Sequence, residues 1–137
     1  GPGQIVGYPI FDLEQLKIGV KEYIFKIEQA IVETLGEYSI QATILEGATG
    51  VWLDSGTNNA RKICAIGVRV SKAVTMHGFA LNVNTDLSYF NNIVPCAIPD
   101  KSVTSLQKEL GRKIDFEEAK QRVKNNFAKV FEAEWDD

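Results

Sequence analysis

Two stretches of the chain carry apolar residues at helical spacing. In the first, Leu16, Val20, Tyr23 with Ile24, Ile27, Ala30 with Ile31, and Leu35 form one stripe. Lys17, Lys21, Glu22, Lys26 and Glu33 fall mostly outside it and keep the other face wet. Asp12, with Gln15 three residues on, offers a capping box at the start, and Gly36 offers a stop. In the second stretch, Phe116, Ala119, Val123, Phe127 and Val130 recur behind Asp115 and Glu118, predicting a helix over 115–131. Both read as packing elements that cover a sheet, and neither carries evident chemistry. A shorter helix is expected over 103–110, ending at Gly111, and a single helical turn over 86–91. The acidic tail after Phe131 is expected to fray.

Between the helices the pattern is strand-like. Short strands are expected over 3–10, 39–45 and 51–54, with a loop over 55–60. The Gly-rich stretch 46–50 reads as a hairpin connection; no Walker lysine follows it and no helix opens from it, as a phosphate cradle would require. The strongest hairpin joins Ile63–Val70 to Ala73–Val83 through Ser71-Lys72. With that turn, Val70 pairs with Ala73, Ala65 with Gly78, and Gly67 with Met76. Opposed residues share a sheet face, so one face carries Ala65, Gly67, Gly78 and Ala80, flanked by Ile63, Val74 and Met76. Glycine inside a strand often marks close approach by a ligand or another backbone. The patch therefore suits either an unbranched apolar chain or a closely packed helix. Strict alternation puts Lys62 and Cys64 on the opposite face, unless a twist, a bulge or the loop at the strand's start redirects Lys62.

Composition adds exclusions. The 137 residues make one domain's worth of chain, long enough to bury a core. A net charge of −3 argues against a nucleic-acid binder driven by phosphate contacts. No apolar run reaches the length of a membrane span, and no basic-then-apolar signal segment opens the chain. Two cysteines, Cys64 and Cys96, lie far apart with no CxxC pair, so no cysteine metal site is expected. Free thiols suggest a reducing compartment, cytoplasmic or, in a eukaryote, organellar. One histidine, His77, leaves little material for a Ser-His-Asp triad. His77 borders the small-residue patch and is a candidate for positioning there. Arg61, Lys62, Arg69 and Lys72 form a basic cluster in an acidic chain, a candidate for steering acidic partners. Cys96 stands in a loop held between Pro95 and Pro99; a free cysteine is most often a small buried hydrophobe.

Four pieces, in order and at matching spacing, resemble the lipoyl(octanoyl) transferases, the type B lipoate–protein ligase family. GPGQIVGYP (Gly1 to Pro9) resembles that family's HGPGQ-x-x-x-YP block. KICAIGVRV (Lys62 to Val70) resembles its lysine strand, HGFALNVN (His77 to Asn84) the strand that follows, and PCAI (Pro95 to Ile98) its PCG loop, with VTSL (Val103 to Leu106) after it. The resemblance covers most of the chain. It implies an α/β (α+β) fold, a mixed or antiparallel sheet packed by helices, like the catalytic core of biotin and lipoate ligases.

The activity it implies is acyl transfer in lipoate biosynthesis and protein lipoylation. An octanoyl group moves from acyl carrier protein to a lysine on a lipoyl domain of a 2-oxoacid dehydrogenase or glycine cleavage protein. Neither a cofactor nor a metal is implied, and no nucleic acid or membrane partner. By the resemblance Cys96 carries the acyl thioester and Lys62 is its proton partner. Ala65, Ile66 and Gly67, with Gly78, Phe79 and Ala80, contact the acyl group, and backbone N–H groups near Gly67 and Gly78 are candidates for holding the oxyanion. Ala97 stands where the family usually has glycine. The family's preceding Arg-Gly-Gly…Tyr-His segment is absent before Gly1, so the chain reads as the C-terminal portion of a single acyltransferase domain. Two other readings stay open: an ATP-dependent lipoate or biotin ligase on the same fold, which needs no cysteine, and an inactive truncated domain.

Overall fold

The structure, a computed structural model, describes residues 3–7, 19–45, 48–71, 74–87 and 103–131. Eight elements follow in order: β1 (Gln4–Gly7), α1 (Val20–Glu37), β2 (Thr43–Leu45), β3 (Ala48–Leu53), β4 (Arg61–Ser71), β5 (Val74–Asn82), α2 (Leu106–Leu110) and α3 (Phe116–Phe131). The strands form one antiparallel sheet in the order β1-β5-β4-β3-β2. Against one face lie α1 and α3, packed on each other. Phe127 of α3 stacks on Phe79 of β5 at 5.0 Å between centroids. Ile27, Ile31, Leu35, Val51, Cys64 and Leu81 fill the interior between the layers. No helix among the described residues is long and apolar enough to cross a membrane.

The first helix differs from its expected ends. Gly19 is extended (φ −85°, ψ 172°), so α1 is entered at Val20. Glycine is a poor helix former and breaks the stripe there; Asp12 and Gln15 lie outside the described residues. The helix also runs past Gly36. The left-handed residue that ends it is Ser39 (φ 63°). Its N–H bonds to Gly36 O and that of Ile40 to Leu35 O, each at 3.0 Å, a Schellman motif built without glycine. At α3 the expectation holds: Asp115 Oδ1 accepts from Glu118 N at 3.0 Å, and Ala119, Val123 and Phe127 are buried. The α2 helix is capped by Ser105 and ends at left-handed Gly111.

The hairpin register is corrected by two residues. Ser71 pairs with Val74 and Val70 with Thr75. Ser71-Lys72 has no preference for a tight turn, and the ladder gains a pair by extending past it. Because side chains alternate with period two, a slip of two preserves the face of every residue. The small-residue patch therefore survives with closer pairings: Ala65 opposite Ala80 and Gly67 opposite Gly78.

Candidate active site on the open face of the sheet

The sheet's second face carries the patch. Ala65 and Gly67 are exposed there. Val6 of β1, paired with Ala80, is 51% exposed and extends the row across three strands. A Cβ built on Gly67 meets no atom of the described residues within 4 Å. A helix packed over the patch would bury these positions, so the described helices leave it open. Of the six residues expected to contact an acyl group, Ala65, Gly67, Gly78 and Ala80 share this face. Ile66 and Phe79 pair with each other on the opposite face, Phe79 under α3. Those two can meet a ligand on the open face only through their backbone.

Lys62 reaches the open face because β4 is bulged. Val51 pairs with Cys64, but the next residue, Trp52, pairs with Lys62, so Ile63 is an extra residue on β4. The irregularity reverses alternation at the strand's start. Val51 and Leu53 are buried against the helices, so Trp52 between them faces the other way, and its partner Lys62 with it. Lys62 Nζ lies 5.1 Å from the Trp52 ring centroid, within cation–π range. Its stem runs over Gly50, where an added Cβ would stand 3.2 Å from Cε and 3.3 Å from Cδ. Gly50 has φ +118° and is closed to other residues twice over, since that Cβ would also fall 2.8 Å from Cys64 O.

Beneath this seat is a carboxylate. Glu28 of α1 is only 5% exposed, and its Oε2 accepts from Gly50 N–H at 2.8 Å. Burial pushes its carboxyl above the usual range, and the Gly50 N–H partly offsets this. Cys64 is fully buried and burial pushes its thiol strongly up, so the chemistry of a reactive thiolate is closed to it.

Adjacent basic residues have different fates. Arg61 is held by Glu109 through two bonds of 2.7 Å and by Asp54 at 2.7 Å. It pins the 54–60 loop and α2 to the start of β4, which removes it from the expected steering cluster. Lys62 has no carboxylate partner among the described residues. The segment before α2 is stitched to the same place: Val103 bridges Lys62 in parallel, and Thr104 N–H donates to Lys62 O at 2.9 Å. Asn82 fixes it from β5, donating to Thr104 O at 3.0 Å while accepting from Gln4 at 2.8 Å. The chain leaving the Cys96 loop is thereby anchored on the backbone of Lys62. Cys96 itself lies outside the described residues, as do the side chains of His77, Arg69 and Lys72; the His77 backbone pairs with Val68.

Trp52, Gly50 and Glu28 have no signature in the sequence. A tryptophan in a short strand, a glycine in a Gly-rich turn and an acid on a helix each have commoner uses. Only the pairing across the bulge brings them together. Trp52 Nε1–H is buried and has no hydrogen-bond partner among the described residues. Among the described residues no cluster of three metal-ligating side chains occurs.

Comparison with known proteins agrees with this architecture. The family model for the lipoyl protein ligase A/B catalytic domain matches residues 1–128. An octanoyltransferase of Flavobacterium psychrophilum is 56% identical over 133 residues, covering 96% of this chain and 57% of its own length. One from Parabacteroides distasonis is 57% identical over 132 residues, covering 96% and 60%. The chain thus spans rather more than half the length of these curated relatives. Among solved structures, the biotin protein ligase of Aquifex aeolicus superposes with a TM-score of 0.72 at 17% identity, over 95% of this chain and 53% of that one. A lipoate-protein ligase A bound with ATP gives 0.67 at 13% identity, over 98% and 53%. These two likenesses show the fold.

Proposed function

The chain belongs to the lipoyl protein ligase A/B catalytic-domain family, and from that premise we propose that it is the part of an octanoyltransferase that holds the reacting groups. The donor is an octanoyl thioester of acyl carrier protein, and the acceptor is a lysine amine on a lipoyl domain. The observation that carries this reading is the bulge at Ile63. It turns Lys62, which has no carboxylate partner among the described residues, toward the face floored by Ala65, Gly67, Gly78 and Ala80. An octanoyl chain is unbranched and apolar, which suits a strip of small side chains where a Cβ at Gly67 would have no described atom within 4 Å.

The proposed chemistry has two halves. The Cys96 thiolate attacks the thioester carbonyl, forming a new S–C bond. The donor's S–C bond breaks, and the departing sulfur takes a proton from Lys62 Nζ. The acceptor amine then attacks the acyl-Cys96 carbonyl and gives a proton back to Lys62, and the Cys96 S–C bond breaks to regenerate the thiolate. The sum is thioester plus amine to amide plus thiol, with both protein groups restored. Support for bringing Cys96 near Lys62 comes from Thr104, which follows Cys96 by eight residues in the sequence and whose N–H is bonded to Lys62 O.

A test uses intact mass after incubation with octanoyl-acyl carrier protein, without ATP. An octanoyl adduct on the protein, absent in Cys96→Ser and passed on to a lipoyl domain, is the expected result. Acylation that instead requires ATP and free octanoate, and survives Cys96→Ser, would establish the ligase chemistry. No acylation by either route would leave a binding domain.

A further inference from the structure

We propose that Glu28 is a positioning residue for Lys62: from inside the core its carboxylate holds the Gly50 N–H, and the bend in β3 fixed in this way is the seat on which the lysine stem lies. The inference deepens the proposed transfer reaction and rests on it for the role of Lys62.

A carboxylate in this place needs a reason. The neighbouring inward residues of α1 are Tyr23, Ile27, Ile31 and Leu35, all buried. An apolar side chain of similar volume at position 28 would join that core without the penalty of burying a charge or an unpaired acid. Glu28 instead reaches the sheet and takes a backbone donor, Gly50 N–H, at 2.8 Å. The bond is made where the register of β3 against β2 slips, between the Leu45–Ala48 and Ile44–Val51 pairs, and one residue before the step from Val51 to Trp52 at which β3 slips against β4. Gly50 has the positive φ that only glycine adopts comfortably. The helix and the bend therefore meet at Gly50, next to the Val51–Trp52 step that faces the bulge.

Lys62 lies on the far side of that residue. Its Cδ and Cε run over Gly50, and its Nζ is carried on to the Trp52 ring. Releasing the Gly50 N–H leaves a buried donor without a partner, which is relieved by relaxing the bend. The lysine stem loses its floor in that relaxation, and the bulge that turns Lys62 outward loses one of its supports. Helix α1, which reads from sequence as packing alone, thus reaches through the sheet to the candidate proton carrier.

The experiment follows the Lys62 side chain directly. In the full chain labelled with ¹³C at lysine Cε, the Lys62 signal is assigned by its disappearance in Lys62→Met. The Trp52 ring shifts its attached protons upfield of the other lysines. In Glu28→Gln, which keeps an oxygen acceptor for Gly50, that shift is expected to persist. In Glu28→Leu it collapses toward the position of the exposed lysines, in protein shown folded by circular dichroism. Glu28→Asp is the second variant should Glu28→Leu fail to fold: it keeps the charge, falls short of Gly50 by one methylene, and also loses the shift. In turnover, the variants that lose the shift show kcat per folded molecule lowered about tenfold or more. Their KM for the acyl donor stays within about twofold, while Glu28→Gln recovers most of kcat. The positioning role is overturned if the Lys62 signal stays in place and kcat is unchanged in both Glu28→Leu and Glu28→Asp. The resonance needs no acyl donor. A shift lost as expected in a protein whose wild type transfers nothing would therefore count against the transfer reaction alone.

Discussion

The two faces of the sheet are made from the same residues in alternation, yet they are built on opposite rules. On the inner face Ile66, Phe79 and Leu81 are large, and with Cys64 they are packed in the core and mostly closed to solvent. On the outer face Ala65, Gly67, Gly78 and Ala80 are small, and Ala65 and Gly67 are exposed. Dense packing makes the inner face the source of stability. The outer face contributes little burial of its own, so its residues are free to serve a ligand. Two inner cysteine and outer lysine neighbours illustrate the contrast: burial holds the Cys64 thiol protonated, while the Lys62 ammonium two residues away sits against an indole ring.

Substitutions on the two faces should separate activity from stability. Lys62→Met removes the proposed proton carrier, so octanoyl transfer is expected to fall about 10²- to 10⁴-fold. The melting temperature should change little, because the bulge is held by backbone and by Glu28. A Lys62→Met protein that transfers octanoyl at the wild-type rate would remove Lys62 from the mechanism. On the inner face, Leu81→Ala empties a fully buried site and should cost about 2–5 kcal/mol in denaturant unfolding. Its kcat per folded molecule should stay close to wild type. If instead it abolishes transfer without loss of stability, the two faces are not divided as described.

The regular half of this contrast was legible in the sequence and the irregular half was not. Alternation along Ala65 to Val70 and Val74 to Asn82 identified the small-residue patch even though the turn was placed one residue too early, because a two-residue slip does not change faces. The same alternation put Lys62 on the wrong face. One extra residue at Ile63 reverses it, and a bulge shows only in the pairing with β3, a separate strand, beside a bond from the distant Thr104. The ends of α1 were missed for a related reason. Gly36 lies inside the helix because the stop is made by backbone bonds at Ser39 and Ile40, which any residue tolerant of a left-handed turn can form. Motif order, by contrast, identified the family, since it depends on neither register nor ends.

The edge where the faces meet has its own pH dependence. Glu109 is held below the usual carboxylate range, chiefly by its hydrogen bonds from Arg61 and, against the pull of burial, by Thr104 as well. A depressed folded-state pKa contributes stability that is fully present above the unfolded value and is lost as pH falls through the folded one. Unfolding free energy should therefore drop in acid, from around the ordinary value of 4.5 downward. Glu109→Gln should be less stable than wild type at neutral pH by about 1–3 kcal/mol and show a flatter acid limb. An acid limb of unchanged slope would mean that other carboxylates set it.

The smallest expected effect is the most discriminating for the outer face. Gly67 is exposed, and a Cβ there touches none of the described residues. Gly67→Ala should leave stability unchanged or raise it by roughly 0.5 kcal/mol, since glycine is the less favourable strand residue. If the space above Gly67 holds the acyl chain, the added methyl displaces about one methylene of ligand, worth about 0.8 kcal/mol. Competition between octanoyl and hexanoyl carrier protein should then shift about fourfold toward the shorter chain. A variant that is destabilised would show that protein, not ligand, covers the patch. One with unchanged chain preference and unchanged stability would move the acyl site off Gly67 and leave the open face without its proposed occupant.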